Sequence, residues 1–200
     1  QPAACVETLA LIAEVPDPTE WRVIDHCSAV TRLYALYEQF AHEMLREHLS
    51  LLERRRLFTD LPAAFQAAYR SGVAKILGKK DGPRYQHIVL ADLLSEFQKA
   101  ISGDRAYRLE PLALIVHEQN LRLNALTTLY QQGGVDNLAR WIAAHPDMQE
   151  FFKEGRLHAN PETELKALVD YRNDAAHGAM AVNDLLSIDT LCELGDFVVI

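Results

Sequence analysis

The stretch ETELKALVDYRNDAAHG, Glu162 to Gly178, decides how this chain reads, because it has a helix's apolar rhythm and ends in a dense cluster of polar and ionisable groups. Leu165, Leu168, Val169 and Tyr171 supply a stripe at three-and-four spacing. Arg172, Asn173, Asp174 and His177 follow within six residues, where a helix serving only a core has no use for them. A guanidinium that is always charged and an imidazole that titrates near neutrality are together suited to handling phosphate. On an ideal helix, residues five apart point roughly 140° apart and are separated by about 7.5 Å along the axis. Arg172 and His177 therefore cannot both face one small target from a straight, isolated helix. Gly178 fits a left-handed residue ending the helix at His177, which would free the imidazole to swing. Alternatively, a two-fold pairing of chains sets the arginine of one copy beside the histidine of the other. The plain alternative is an ordinary helix end, with cation and imidazole favoured near the C-terminal dipole.

At these residues the sequence resembles the HEPN superfamily, in particular its bacterial defence and toxin nuclease group of RiboL-PSP-HEPN or MAE type. Its signature is Arg, four to six residues, then His, often with a polar residue after the Arg; here that is Arg172, Asn173 and, after four intervening residues, His177. The segments LYALYEQFAHEML, Leu33 to Leu45, and NLRLNALTTLYQQGGV, Asn120 to Val135, resemble the corresponding parts of that group. The resemblance covers roughly Val30 to the C-terminus. It implies an all-α HEPN-like helical bundle with extra helices that forms a two-fold homodimer and cleaves tRNA or other RNA without metal or other cofactor. Arg172 and His177 would be catalytic. Asn173 would contact the phosphate or fix the imidazole, and Glu38, an acid after an aromatic-rich stretch, would hold Arg172 in place.

Three functional readings follow from the resemblance. The first is a metal-independent endoribonuclease, a toxin or anti-phage effector with an antitoxin or a sensor and activator as partner. The second is a non-catalytic HEPN module that binds RNA or nucleotide and scaffolds a multi-component defence system. The third, a toxin silenced by modification of a tyrosine shortly after the His, is disfavoured because Gly178, Ala179 and Met180 follow His177.

Composition bounds these readings. Two hundred residues, 49% hydrophobic and 24% charged, suit one globular domain with an adequate core. No apolar run approaches the roughly 20 residues that span a bilayer, and the N-terminus lacks the basic and apolar regions of a signal peptide. Cys5, Cys27 and Cys192 are odd in number, widely spaced and without a Cys-x-x-Cys pair, which argues against a disulfide framework and against zinc. A reducing cytoplasm fits. Beginning at Gln1 rather than Met, the chain reads as trimmed or incomplete, which leaves room for a sensor domain beyond either end. The net charge of −8 is unusual for a nucleic-acid binder. Arg54, Arg55 and Arg56, and Lys79, Lys80 and Arg84, are the local basic clusters that could follow a phosphate backbone.

The rest of the chain reads as helices. Residues 1–18 form a short helix, CVETLALIA, and a proline-broken linker; residues 19–200 form the HEPN-like domain. From a cap at Thr19 the longest helix runs to about Leu57, with Val30, Leu33, Tyr34, Tyr37, Phe40, Ala41, Met44, Leu45, His48, Leu51 and Leu52 on one wide face. Helices are expected over Pro62–Leu77, over Arg84–Ile101 and over Asn120–Gln132 with Asn120 as cap. An irregular stretch with a possible short extended piece is expected over Ser102–Leu112. A short helix follows in which Trp141 and Ile142 pack, and His145 sits in a loop. A charged helix and turn span Asp147 to Asn160, the signature helix begins at Pro161, and a last helix is capped by Asn183.

Overall fold

The computed structural model describes residues 18–115, 120–155, 157, 160–181 and 184–200, with the side chains of 18–21 excepted. Among these the structure is all-α, with no strand. The helices are α1 (Pro18–Arg55), α2 (Ala63–Gly78), α3 (Leu90–Ser102), α4 (Leu123–Gln132), α5 (Leu138–Ala144), α6 (Pro146–Lys153), α7 (Pro161–His177) and α8 (Ile188–Val199). Single 3₁₀ turns at Phe58–Asp60 and Pro111–Ala113 join them. The expected helical bundle is therefore present. The segment Cys5–Ala13 and the Asn183 cap lie outside what is described, while Thr19, expected as a cap, lies within α1, which already includes Pro18.

At 38 residues, α1 is about 57 Å long and forms the spine of the bundle. Its buried stripe is Val30, Tyr34, Tyr37, Ala41, Leu45 and Leu49, a run of three- and four-residue steps. The face expected from sequence is too wide. Phe40 and Met44 each precede a buried position by one residue, a rotation of about 100°, and both are exposed, as is Leu51. The main partner of α1 is α7, which also touches α4, while α8 packs against α1. Leu165, Leu168 and Val169 of α7 close over this core with Leu194 and Phe197 of α8.

A second packing centre lies past the end of α1. There Phe58 makes edge contacts with Phe65, Tyr69 and Tyr107, and the Tyr69 hydroxyl accepts a hydrogen bond from the Glu110 N–H. Burial pushes the Tyr107 phenol up to about 12. Helix α2 crosses the Pro111–Ala113 turn at Gly72, so closely that a Cβ there would lie 1.6 Å from the Ala113 carbonyl oxygen. Only glycine permits that approach.

Three further expectations are corrected. Residues 79–89 are wound in successive turns, with Tyr85 bonding back to Gly82 and Ile88 to Tyr85, so the helix expected from Arg84 starts only at Leu90. Asn120 does not cap α4: that helix begins at Leu123, Arg122 occupies the cap position, and no side chain caps it. Trp141 does not pack. Leu138 and Ile142 share the inward face of α5, which turns Trp141 out to 71% exposure. With Phe40, Met44, Tyr130 and Phe197 it walls an open apolar cleft of about 440 Å³. Among the described residues no helix is long and apolar enough to cross a membrane.

Candidate phosphate-binding site

Both ends of α7 are fixed by local chemistry. Asn160 caps the start, its Oδ1 accepting from the Thr163 N–H at 3.0 Å, with Pro161 in the first turn and Glu162 and Glu164 favourably placed at the positive end of the dipole. Gly178 takes the left-handed conformation, φ 65° and ψ 25°. The Ala179 N–H then reaches the Asp174 carbonyl and the Gly178 N–H reaches that of Ala175, the paired bonds of a Schellman motif. The helix therefore ends at His177, as the glycine predicts.

Between those ends, position on the helix decides what each functional side chain meets. Arg172 follows Leu165 by seven residues and Leu168 by four, so it continues the buried stripe of α7 and is itself half-buried. In the place of a core residue, its guanidinium lies over the ring of buried Tyr34 on α1, with Cζ 5.1 Å from the ring centroid. Nη1 donates to Asn120 Oδ1 and to Asn173 Oδ1, each at 3.2 Å, and Asn120 Nδ2 donates to Asn173 Oδ1 at 2.8 Å. Asn173 thus sits against Arg172, while His177 is exposed and has no hydrogen bond or ion pair among the described residues.

Asn120 is the residue that sequence reasoning misses. It belongs to a tight turn beside α7, closed by the Arg122 N–H on the Asn120 carbonyl at 2.8 Å and held by both backbone groups of the next residue. The Leu121 N–H donates to the Tyr34 hydroxyl and the Leu121 carbonyl accepts from the Tyr37 hydroxyl, each at 2.8 Å. One residue further, Arg122 Nη2 meets Asp170 Oδ1 at 2.6 Å, and Lys166 Nζ meets Asp170 Oδ2 at 2.8 Å. The Lys166 ammonium, followed by the Arg122 guanidinium, holds the Asp170 carboxyl below its ordinary range. Asn-x-Arg against Asp-x-Arg-Asn is the only trace of this pairing in the sequence, and nothing local marks it.

The electrostatic consequence is specific to Arg172. Asp170 compensates Arg122 and Lys166, whereas the guanidinium of Arg172 is held by two neutral amide oxygens and a π-face. Among the described residues no carboxylate lies within 4 Å of it. Glu38, expected as its partner, is half-buried one turn along α1 from Tyr34 and makes no such ion pair. Its influence falls on Tyr34: burial raises that phenol, the Leu121 bond opposes the rise, Glu38 adds to it and Arg172 counters it. The three arginines at the end of α1 are exposed, and Arg54 lies about 30 Å along the helix from Tyr34. The structure does not bring that basic cluster to the site.

Within one chain, Arg172 and His177 remain five positions apart on α7, roughly 140° around the axis. No three His, Cys, Asp or Glu side chains among the described residues gather so as to hold a metal ion. The arrangement can bind an oxyanion at Arg172 and offer an imidazole one turn and a half beyond it.

No curated protein and no solved structure shows significant similarity to this chain. The RiboL-PSP-HEPN family model matches residues 6–200, which takes in the whole of the Arg172–His177 helix and the Asn120 segment beside it. The chain therefore belongs to the RiboL-PSP-HEPN family of the HEPN superfamily.

Proposed function

We propose that the protein is a metal-independent endoribonuclease whose site is completed by two copies of the chain. Family membership supports a nuclease or RNA-binding role. The observation that carries the enzymatic reading is the state of Arg172: fixed in orientation, partly shielded from solvent, and not neutralised by a carboxylate among the described residues. A guanidinium held so is preorganised for the charge that develops on a phosphorane.

RNA carries its own nucleophile. His177 removes the 2′-hydroxyl proton, the 2′ oxygen bonds to phosphorus, and the bond to the 5′ oxygen breaks. That leaving oxygen takes a proton from the second copy's His177 or from water. The products are a 2′,3′-cyclic phosphate and a 5′-hydroxyl. Because Arg172 and His177 diverge on one helix, the productive pair is the arginine of one copy with the histidine of the other. Cleavage of tRNA or another RNA, as a toxin or defence effector under the control of an antitoxin or activator, is the role this chemistry suits.

The apolar cleft beside Phe40 and Trp141 favours a second reading, in which the domain binds RNA without cutting it and docks a protein partner. One experiment separates the two. Total tRNA is incubated in EDTA with the unaltered protein and with His177→Ala. The nuclease reading expects cutting by the unaltered protein alone, with cyclic phosphate ends; intact RNA in both reactions leaves the scaffold.

A further inference from the structure

The triangle formed by Arg172, Asn120 and Asn173 has a polarity that hydrogen-bond chemistry dictates. A guanidinium only donates. Each amide bonded to it must therefore turn its oxygen toward Arg172, and this fixes both asparagine orientations. Asn120 Oδ1 and Asn173 Oδ1 each accept from Nη1, and Asn173 Oδ1 also accepts from Asn120 Nδ2. Both amide oxygens are thus engaged inside the triangle. The N–H groups beyond those three bonds have no acceptor among the described residues, and all three side chains are half-buried and border solvent.

Asn120 is not needed merely to fasten its segment to the bundle. Tyr34 and Tyr37 already hold both backbone groups of Leu121, and Asp170 already holds Arg122. Its amide does something these contacts do not: it locks the guanidinium without adding negative charge. We propose that Asn120 is a positioning residue of the phosphate-binding site, fixing Arg172 so that the cluster offers an RNA phosphodiester one positive charge and a rim of N–H donors, with both amide oxygens turned inward onto Arg172. The ligand's identity rests on the ribonuclease reading; the role of Asn120 toward Arg172 does not.

The test uses the full chain and a short 2′-O-methyl RNA, which binds but has no free nucleophile. Affinity is measured over a series of salt concentrations for the unaltered protein, Asn120→Asp, Asn120→Ala, Arg172→Ala and Asn120→Asp/Arg172→Ala. Asn120→Asp keeps the shape but pairs a carboxylate with Arg172. It is expected to weaken binding about tenfold or more and to reduce the slope of log K against log salt by about 0.7 per cluster, one lost phosphate contact to a single strand. Asn120→Ala should weaken binding with the slope retained, since the charge stays, and it carries the test if the aspartate variant proves unfolded by circular dichroism. In the Arg172→Ala background the aspartate should add little, as required of a residue acting through Arg172.

Unchanged affinity and slope in Asn120→Asp, or an equal loss with Arg172 already removed, overturns the role of Asn120. Parallel cleavage of the unmodified RNA separates the two claims. If the unaltered protein binds but does not cut, while Asn120→Asp weakens binding as stated, the ribonuclease reading fails and the role of Asn120 stands. If the unaltered protein and Asn120→Asp cut and bind alike, only the role of Asn120 falls. Absence of any salt-sensitive binding by the unaltered protein overturns both.

Discussion

Arg172 draws its environment from the register of its helix. On the stripe set by Leu165 and Leu168 it occupies a core position, so burial gives it a tyrosine face and two amide oxygens, while His177, off that stripe and at the helix end, stays in water. The Arg, Asn and His of this site were legible in sequence because they cluster on one helix. Asn120 was not, because its partners are 52 and 53 residues away and an asparagine ahead of an apolar helix reads first as a cap. Glu38 was expected as a partner from the family resemblance, and the protein satisfies Arg172 with neutral acceptors instead. Another residue whose burial composition could not foretell is His26, 6% exposed on α1, with an Nε2 that has no hydrogen-bond partner among the described residues. Burial lowers its pKa from the ordinary 6.5. The unfolded chain then takes up the proton more readily than the folded one, so stability is full above about pH 6.5 and falls as the pH drops through the lowered folded value. Thermal melts of the unaltered protein and His26→Leu at pH 7.5 and 5.5 should show a smaller pH difference for the variant; equal differences would mean that His26 does not contribute to the acid loss.

At the scale of elements, the chain announces its helix ends better than its helix faces. Asn160, Pro161 and Gly178 each act through a local rule and bound α7 as expected. Faces depend on which neighbour arrives. Phe40 and Met44 fit a wide apolar stripe, yet the buried positions beside them are Tyr37, Ala41 and Leu45, and α5 leaves Trp141 exposed while Leu138 and Ile142 pack on the core. Turns hide better still. Gly82 and Pro83 mark the first of the windings at 79–89 as a loop, but Ile88 and Val89 carry the apolar rhythm of α3 back into the rest and make it look helical. Gly72, which nothing local marks inside α2, sits where that helix meets the Pro111–Ala113 turn. Gly72→Ala must push that turn away, at a cost of about 1–3 kcal/mol. Urea unfolding should show a lower midpoint with an unchanged slope; an unshifted midpoint would mean that the turn yields freely.

For the whole molecule, apolar periodicity marked the helices, and the resemblance at Arg172 to His177 supplied the expectation that they form one bundle. How two such bundles would face each other is not encoded in any stripe, because the relation lies between chains. In the proposed enzyme that relation sets Arg172 of one copy to work with His177 of the other. Mixing two inactive variants measures it most directly. Arg172→Ala retains its histidine and His177→Ala retains its arginine, so a mixed pair of chains holds one complete pair across the interface and none within a chain. After joint unfolding and refolding to exchange subunits, RNA cleavage in EDTA should reappear in the mixture while each variant alone stays inactive. A mixture as inactive as its components, with exchange verified by differently tagged chains, would contradict the claim.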